Sequence, residues 1–302
     1  MARARIIIKR RKAVRNIKKI TKVMQMIATS RYQKAYKRAV GTKPYVKKIG
    51  ELVASAVQAV RTSGKSIEHP LLKEPAAGAT GGRTAVLVVS SNRGLAGGYN
   101  GNVLRLANIT LKELEAAGKT TELYVSGKKG IAYFKFLRRD MAQTFNNIGD
   151  NPKFVEIDAL AEQFMKAYTE GKITGLKIVY MRFISAGQQR PHVMDVLPLS
   201  GLAGADAAAQ PDANANPIPY EFMPNAEALL EELIPTTVKI SIFQAFIEAA
   251  VSEQIARMVA MKAATDNAEK MGKKLTQDYN RARQSQITSE LSELMGGVEA
   301  MK

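Results

Sequence analysis

Residues 251–282 read VSEQIARMVAMKAATDNAEKMGKKLTQDYNRA. Val251, Ile255, Met258, Met261, Thr265, Ala268, Gly272, Leu275, Tyr279 and Ala282 recur at intervals of three and four only, the period of one helix face. After Pro235 nothing breaks the pattern until Gly296-Gly297. That predicts about 60 residues of helix, on the order of 90 Å at 1.5 Å per residue. A helix this long exceeds what a globular core buries, so its seam calls for a partner helix. Thr265, Ala268, Gly272 and Ala282 are small enough to let one approach closely.

The partner lies at the other end of the chain. No Asp or Glu occurs before Glu51, while residues 1–48 hold seventeen Lys and Arg. From residue 49 onward the balance is 28 basic against 27 acidic, so nearly all of the +18 net charge sits in the first sixth. Such a block repels itself unless it lies against something acidic. It is also periodic: Ala13, Ile17, Ile20, Met24 and Ile27 predict an apolar seam along a helix over residues 3–40. Gly41 and Pro44 predict a break or kink, followed by a second helical stretch ending near Ser63-Gly64. Pairing the two terminal helices antiparallel buries both seams. The longer C-terminal helix should then outreach its partner, giving a long stalk on a globular base.

Between the helices the period changes. Thr84–Ser91 (TAVLVVSS) is a nearly continuous apolar run, as in a strand covered on both faces. Residues 99–117, 128–138 and 156–170 read as helices, Glu122–Ser126 as a strand, and Gly175–Ser185 and His192–Pro198 as antiparallel neighbours. The fold class is therefore α/β: a long antiparallel two-helix coiled coil from the N- and C-terminal helices plus a central Rossmann-like α/β domain. The expected segments are 1–63, 64–224 and 225–302, with residues 200–217 (SGLAGADAAAQPDANANP) a low-complexity loop.

Composition excludes several chemistries. With no Cys there is no disulfide framework, thiol nucleophile or Cys-ligated metal, and His69 and His192 have no spaced partner. No apolar run approaches the roughly 20 residues that span a bilayer. The loop Ser90–Gly101 carries glycines as G-x-x-G-G-x-x-G, which fits a tight strand-to-helix turn better than a dinucleotide or phosphate loop. No catalytic, cofactor-binding or metal-binding residue is assigned. The basic helix leaves three targets open: nucleic acid phosphates, acidic lipid headgroups or acidic protein loops.

Three segments resemble the gamma subunit of F-type ATP synthase: Ile20–Arg31 (ITKVMQMIATSR), Ser90–Asn100 (SSNRGLAGGYN), and Ala256–Ala268 with Tyr279–Leu291. The resemblance covers essentially the whole chain in order. Asn92 stands where an acidic residue is common and Ala96 where a Cys is common. It implies a non-catalytic central rotor shaft. The coiled coil would enter the α3β3 hexamer, and the base would sit on the c-subunit ring beside the epsilon subunit, one copy per complex. Proton-driven rotation would then be coupled to ATP synthesis or hydrolysis on α and β. No cofactor and no nucleic acid is implied, and the setting is the cytoplasmic side of the bacterial inner membrane. Carried over by motif, Arg283, Gln284, Thr288 and Glu290 would touch the β subunits. The basic helix, with Lys18, Lys19 and Lys22 facing solvent, would meet an acidic β loop. Met24 would face either the seam or the hexamer. Leu294, Met295, Val298 and Met301 would make an apolar tip.

Overall fold

The computed structural model describes residues 2–62, 69–72, 83–149, 151–199, 225–299 and 301. The elements are α1 (Ala2–Thr62), β1 (Thr84–Val89), α2 (Tyr99–Ala116), β2 (Thr121–Ser126), α3 (Lys128–Phe136), β3 (Gln143–Phe145), α4 (Phe154–Thr169), β4 (Gly175–Ser185), β5 (Gln188–Leu197) and α5 (Ala226–Glu299). Packing divides the chain into two compact units, residues 1–30 with 257–302 and residues 31–256. These limits differ from the expected three segments because 31–62 and 226–256 are core elements of the sheet-bearing unit.

In that unit the sheet order is β3-β2-β1-β4-β5, parallel except for β5. All six residues of β1 are buried, as a strand covered on both faces requires. One face carries α2 and α3, through Val103, Ala107, Leu111 and Phe134. The other carries α4 (Ile157, Leu160, Phe164), the end of α1 (Ala56, Val60) and the start of α5 (Leu230, Ile234, Val238, Ile242, Phe246). Helices on both faces make the sheet doubly wound. The strand β3 was not expected; its three residues are mostly exposed and pair only with β2, so they carry no apolar alternation to read. The low-complexity loop lies outside the described residues.

Of the break or kink expected at Gly41-Pro44, the break does not occur: α1 runs through it. Pro44 and Val40 are exposed, so the Val40 carbonyl that loses its helical partner can face water. The Thr42 hydroxyl donates to the Arg38 carbonyl at 2.9 Å on the same stretch. Helix α5 contains Pro235, as a helix over 225–302 requires, and it runs on through Gly296-Gly297 where a stop was expected. Its start is capped by Asn225, whose Oδ1 accepts from the Ala228 amide at 2.7 Å. By length and composition α5 could cross a membrane, against the expectation that no such stretch exists, but the greater part of that stretch is buried within the protein.

Strand β4 outruns β1: their pairing ends at Val88 opposite Val179. The exposed edge beyond is closed by α5. Ser252 Oγ donates to the Met181 carbonyl at 3.1 Å, and Glu248 Oε2 accepts from the Phe183 amide at 3.3 Å. Both side chains are buried, so each satisfies a main-chain group that would otherwise be orphaned.

At the end of β2, Gly127 has φ +97°, and a Cβ there would lie 2.1 Å from the Ser90 carbonyl oxygen. Gly118 has φ +73° with open space around it. Gly118→Ala should cost about 1–2 kcal/mol for the left-handed backbone alone. Gly127→Ala should cost clearly more, because main chain must also move. Denaturant midpoints of the two variants check that order.

Candidate partner-binding surface

In the unit formed by 1–30 and 257–302, α1 and α5 run antiparallel. Thr21 Oγ1 lies 2.8 Å from Thr265 Oγ1, Lys18 Nζ 2.9 Å from Glu269 Oε2, and the Arg11 guanidinium 5.1 Å over the Tyr279 ring. Each step back along α1 is matched by a step forward along α5. On α5 the buried side is the expected one: Met261, Thr265 and Ala268 are buried, and Gly272, Leu275, Tyr279 and Ala282 half-buried.

On α1 the seam is displaced by one residue from the expected stripe. Val14, Thr21 and Ala28 are buried, with Ile7, Arg11, Lys18 and Gln25 half-buried between them. The stripe expected from apolar spacing faces outward: Ile17 is 51%, Ile20 59% and Ile27 49% exposed. The reason is size. Close antiparallel approach at Thr265 favours a small hydrogen-bonding group opposite, which Thr21 supplies and an isoleucine would not. Thr265 Oγ1 donates to Thr21 Oγ1, and Thr21 Oγ1 donates in turn to the Lys18 carbonyl at 3.2 Å.

With 100° between successive residues, α1 therefore has two unlike flanks. Preceding the seam positions are Ile6, Arg10, Ala13, Ile17, Ile20, Met24 and Ile27, apolar but for one; following them are Ile8, Lys12, Arg15, Lys19, Lys22, Met26 and Thr29, whose four cations are all exposed. The apolar flank is the part of the surface that sequence reading missed as a contact face, because it took the same residues for the coil interior. Met24 is half-buried on that flank.

The carried-over residues fall into three places. Lys19 and Lys22 are exposed on the basic flank. Lys18 is not a free outward charge: it is half-buried and bonded to Glu269, and that contact, with Lys273 nearby, holds the Glu269 carboxyl below its ordinary range. Arg283, Gln284, Thr288 and Glu290 are exposed on α5, where Gln286 Nε2 donates to Glu290 Oε1 at 2.8 Å. From Ile287 onward every described side chain is exposed, including Leu291, Leu294, Met295, Val298 and Met301. Helix α1 begins at Ala2, so this overhang has no counterpart in it.

The Gly-rich turn spends its polar groups on itself and on neighbouring main chain. Asn100 Nδ2 donates to Ser91 Oγ at 2.8 Å, Ser91 Oγ to the Arg93 carbonyl at 2.7 Å, and Asn92 Nδ2 to the Ile148 carbonyl at 2.9 Å. Leu95 and Gly97 take positive φ to close it. His69 accepts from the Leu71 amide at 3.1 Å in a turn, and burial pushes its pKa down against the opposing effect of Glu231. His192 sits on β5 opposite Tyr180.

Comparison with known proteins agrees with this architecture. A family model described as ATP synthase matches residues 3–301. The ATP synthase gamma chain of Rhodopirellula baltica is 43% identical over 302 residues, covering 100% of both chains. That of Leptospira biflexa is 36% identical, again over 100% of both, and that of Saccharopolyspora erythraea 36% identical over 100% of this chain and 98% of its own. Among solved structures, a chain of the Euglena gracilis mitochondrial ATP synthase OSCP/F1/c-ring in rotational state 3 has a TM-score of 0.64 at 17% identity, covering 99% of this chain and 95% of its own. One from that enzyme's rotor in rotational state 1 scores 0.60 at 16% identity, covering 95% and 99%.

The Lys18–Glu269 pair predicts a charge-swap outcome. Lys18→Glu should lower the coil's thermal stability by setting two carboxylates against each other, and adding Glu269→Lys should recover it. Because the Glu269 pKa is lowered on folding, the native pair's contribution is present above the ordinary carboxylate value of 4.5 and fades as pH falls through the lower folded value. Circular dichroism melts of the three chains across that range check both statements.

Proposed function

The chain belongs to the gamma-chain family of ATP synthase, and from that premise we propose how its surfaces serve a central-stalk subunit. The subunit is non-catalytic; it is a peripheral part of a membrane-bound, proton-translocating complex. Its partners are the α3β3 hexamer, the epsilon subunit and the c-subunit ring, with one copy per complex and no nucleic acid. The compartment we assign is the cytoplasmic face of a bacterial inner membrane.

The observation that carries the reading is the helix pair with its unlike flanks and unpaired overhang. A two-helix rod is stiff along its length, and one with an apolar side, a basic side and a bare tip is asymmetric about its axis. Turned inside a ring of three β subunits, it presents each with different chemistry. We assign the basic flank, Lys19 and Lys22 above all, to an acidic β loop, where charge complementarity supplies attraction and orientation. The exposed motif residues Arg283, Gln284, Thr288 and Glu290 are assigned to polar contact with the β subunits. Met24, with Ile17, Ile20 and Ile27, is assigned to apolar contact with the hexamer. The tip residues Leu294, Met295, Val298 and Met301 suit an apolar sleeve that slides without fixed hydrogen bonds.

The deciding experiment is reconstitution with α and β. The chain alone should hydrolyse no ATP, and the assembled complex should. ATP hydrolysis by the isolated chain would overturn the reading. Lys19→Glu with Lys22→Glu should lower the hydrolysis rate of the complex several-fold, more at low salt than at high, while the helix content of the free chain is unchanged. Ile17→Ser with Ile20→Ser should impair assembly with little salt dependence.

A further inference from the structure

The end of α3 carries apolar side chains outward among cations. Residues 128–142 hold five cations and one acid, Asp140, whereas the chain from residue 49 onward is nearly balanced. The buried side of α3 is Gly130 and Phe134; Lys128, Lys129 and Lys135 are exposed. At the last turn stands Phe136, 82% exposed and the most exposed aromatic side chain among the described residues, with Leu137 46% exposed behind it.

The backbone fixes that end. The Arg138 amide donates to the Lys135 carbonyl at 3.1 Å and the Arg139 amide to the Phe134 carbonyl at 3.0 Å, closing the helix in a Schellman turn. Glycine usually takes the left-handed position of such a turn; here Arg138 does, at φ +52°. Its side chain is exposed and, among the described residues, makes no hydrogen bond or ion pair, so no contact of that side chain offsets the strain. Arg139 ties the same end to Glu115 of α2, and exposed Lys119 follows α2 there.

We propose that the end of α3, through Lys135, Phe136, Leu137 and Arg138 with Lys119, docks on anionic lipid headgroups. A phenylalanine this bare projects rather than lines a hollow. Such a ring enters the boundary between headgroups and acyl chains, while lysine and arginine meet the phosphates. A flat anionic layer fits projecting apolar groups among cations better than a shaped protein pocket does. The proposal rests on the stalk reading in one respect, that the complex is membrane-bound and so has this layer beside it.

The test uses a reporter the chain lacks. It has no Trp, so Phe136→Trp places a single indole at the site. Val155→Trp places one at a comparably bare apolar position, 78% exposed at the start of α4 on the other face of the sheet. Each full-length variant is mixed with brominated vesicles of phosphatidylcholine, with or without phosphatidylglycerol. The basic N-terminal helix draws both variants to anionic vesicles, but only insertion at α3 quenches the Phe136→Trp indole. That indole should shift blue and be quenched with phosphatidylglycerol and not without it, less so as salt rises; the Val155→Trp indole should do neither. Adding Lys135→Gln and Arg138→Gly should weaken the response several-fold with no fall in melting temperature, since glycine relieves the turn. If Phe136→Trp does not fold, Leu137→Trp reports from the next residue. No quenching at α3, equal quenching at the two sites, or a response indifferent to the loss of both cations would overturn the proposal. So would a shift seen only with the c-subunit ring in phosphatidylcholine, which would make the partner an acidic protein surface. None of these failures touches ATP hydrolysis by the reconstituted complex, so each strikes the lipid contact and leaves the stalk reading in place.

Discussion

The hydroxyl pair Thr21–Thr265 marks the point on which the helix pair depends, where two long helices meet through small groups alone. A seam of leucines and isoleucines would bury more apolar area, but it would hold the helices further apart and tolerate slippage by a turn. A hydroxyl pair tolerates neither, because either change forfeits a hydrogen bond between the helices, about 0.5–1.5 kcal/mol. Thr21 can meet Thr265 at 2.8 Å in one register only. Lys18 with Glu269 and Arg11 over Tyr279 extend the same register along the pair. Individually these exposed contacts are weak; their value is that they agree.

That seam also explains which parts of the fold could be read in advance. Helix α5 was legible because its interior side is marked by Met261, Leu275 and Tyr279 among charged neighbours. Helix α1 was legible as a helix but not in its facing: hydrophobicity points to Ile17, Ile20 and Ile27, while the true interior is Val14, Thr21 and Ala28. Counting apolar residues finds the oiliest stripe. It finds the buried stripe only when the partner leaves room for oil.

In the sheet-bearing unit, the buried strands announced themselves through unbroken apolar runs, and β4 was read with the bounds it has. The edge strand β3 was silent, because three mostly exposed residues hold their place through main-chain bonds to β2. Pro44 misled for a related reason. Proline removes a donor and leaves a carbonyl behind it, but whether the helix stops depends on whether that carbonyl can reach water, which is a tertiary fact. The candidate surface was partly legible: the exposed motif residues of α5 and the basic flank were, whereas the commitment of Lys18 to Glu269 required knowing the register.

The two-sided character of α1 has a consequence for how position is sensed. A cylinder that is alike all round carries no information about its own angle. Because the pair is oily along one meridian and cationic along another, its orientation is written on its outside. Neighbours fixed at different compass points around it would meet different chemistry at the same instant, and a third of a turn would pass each neighbour's situation to the next.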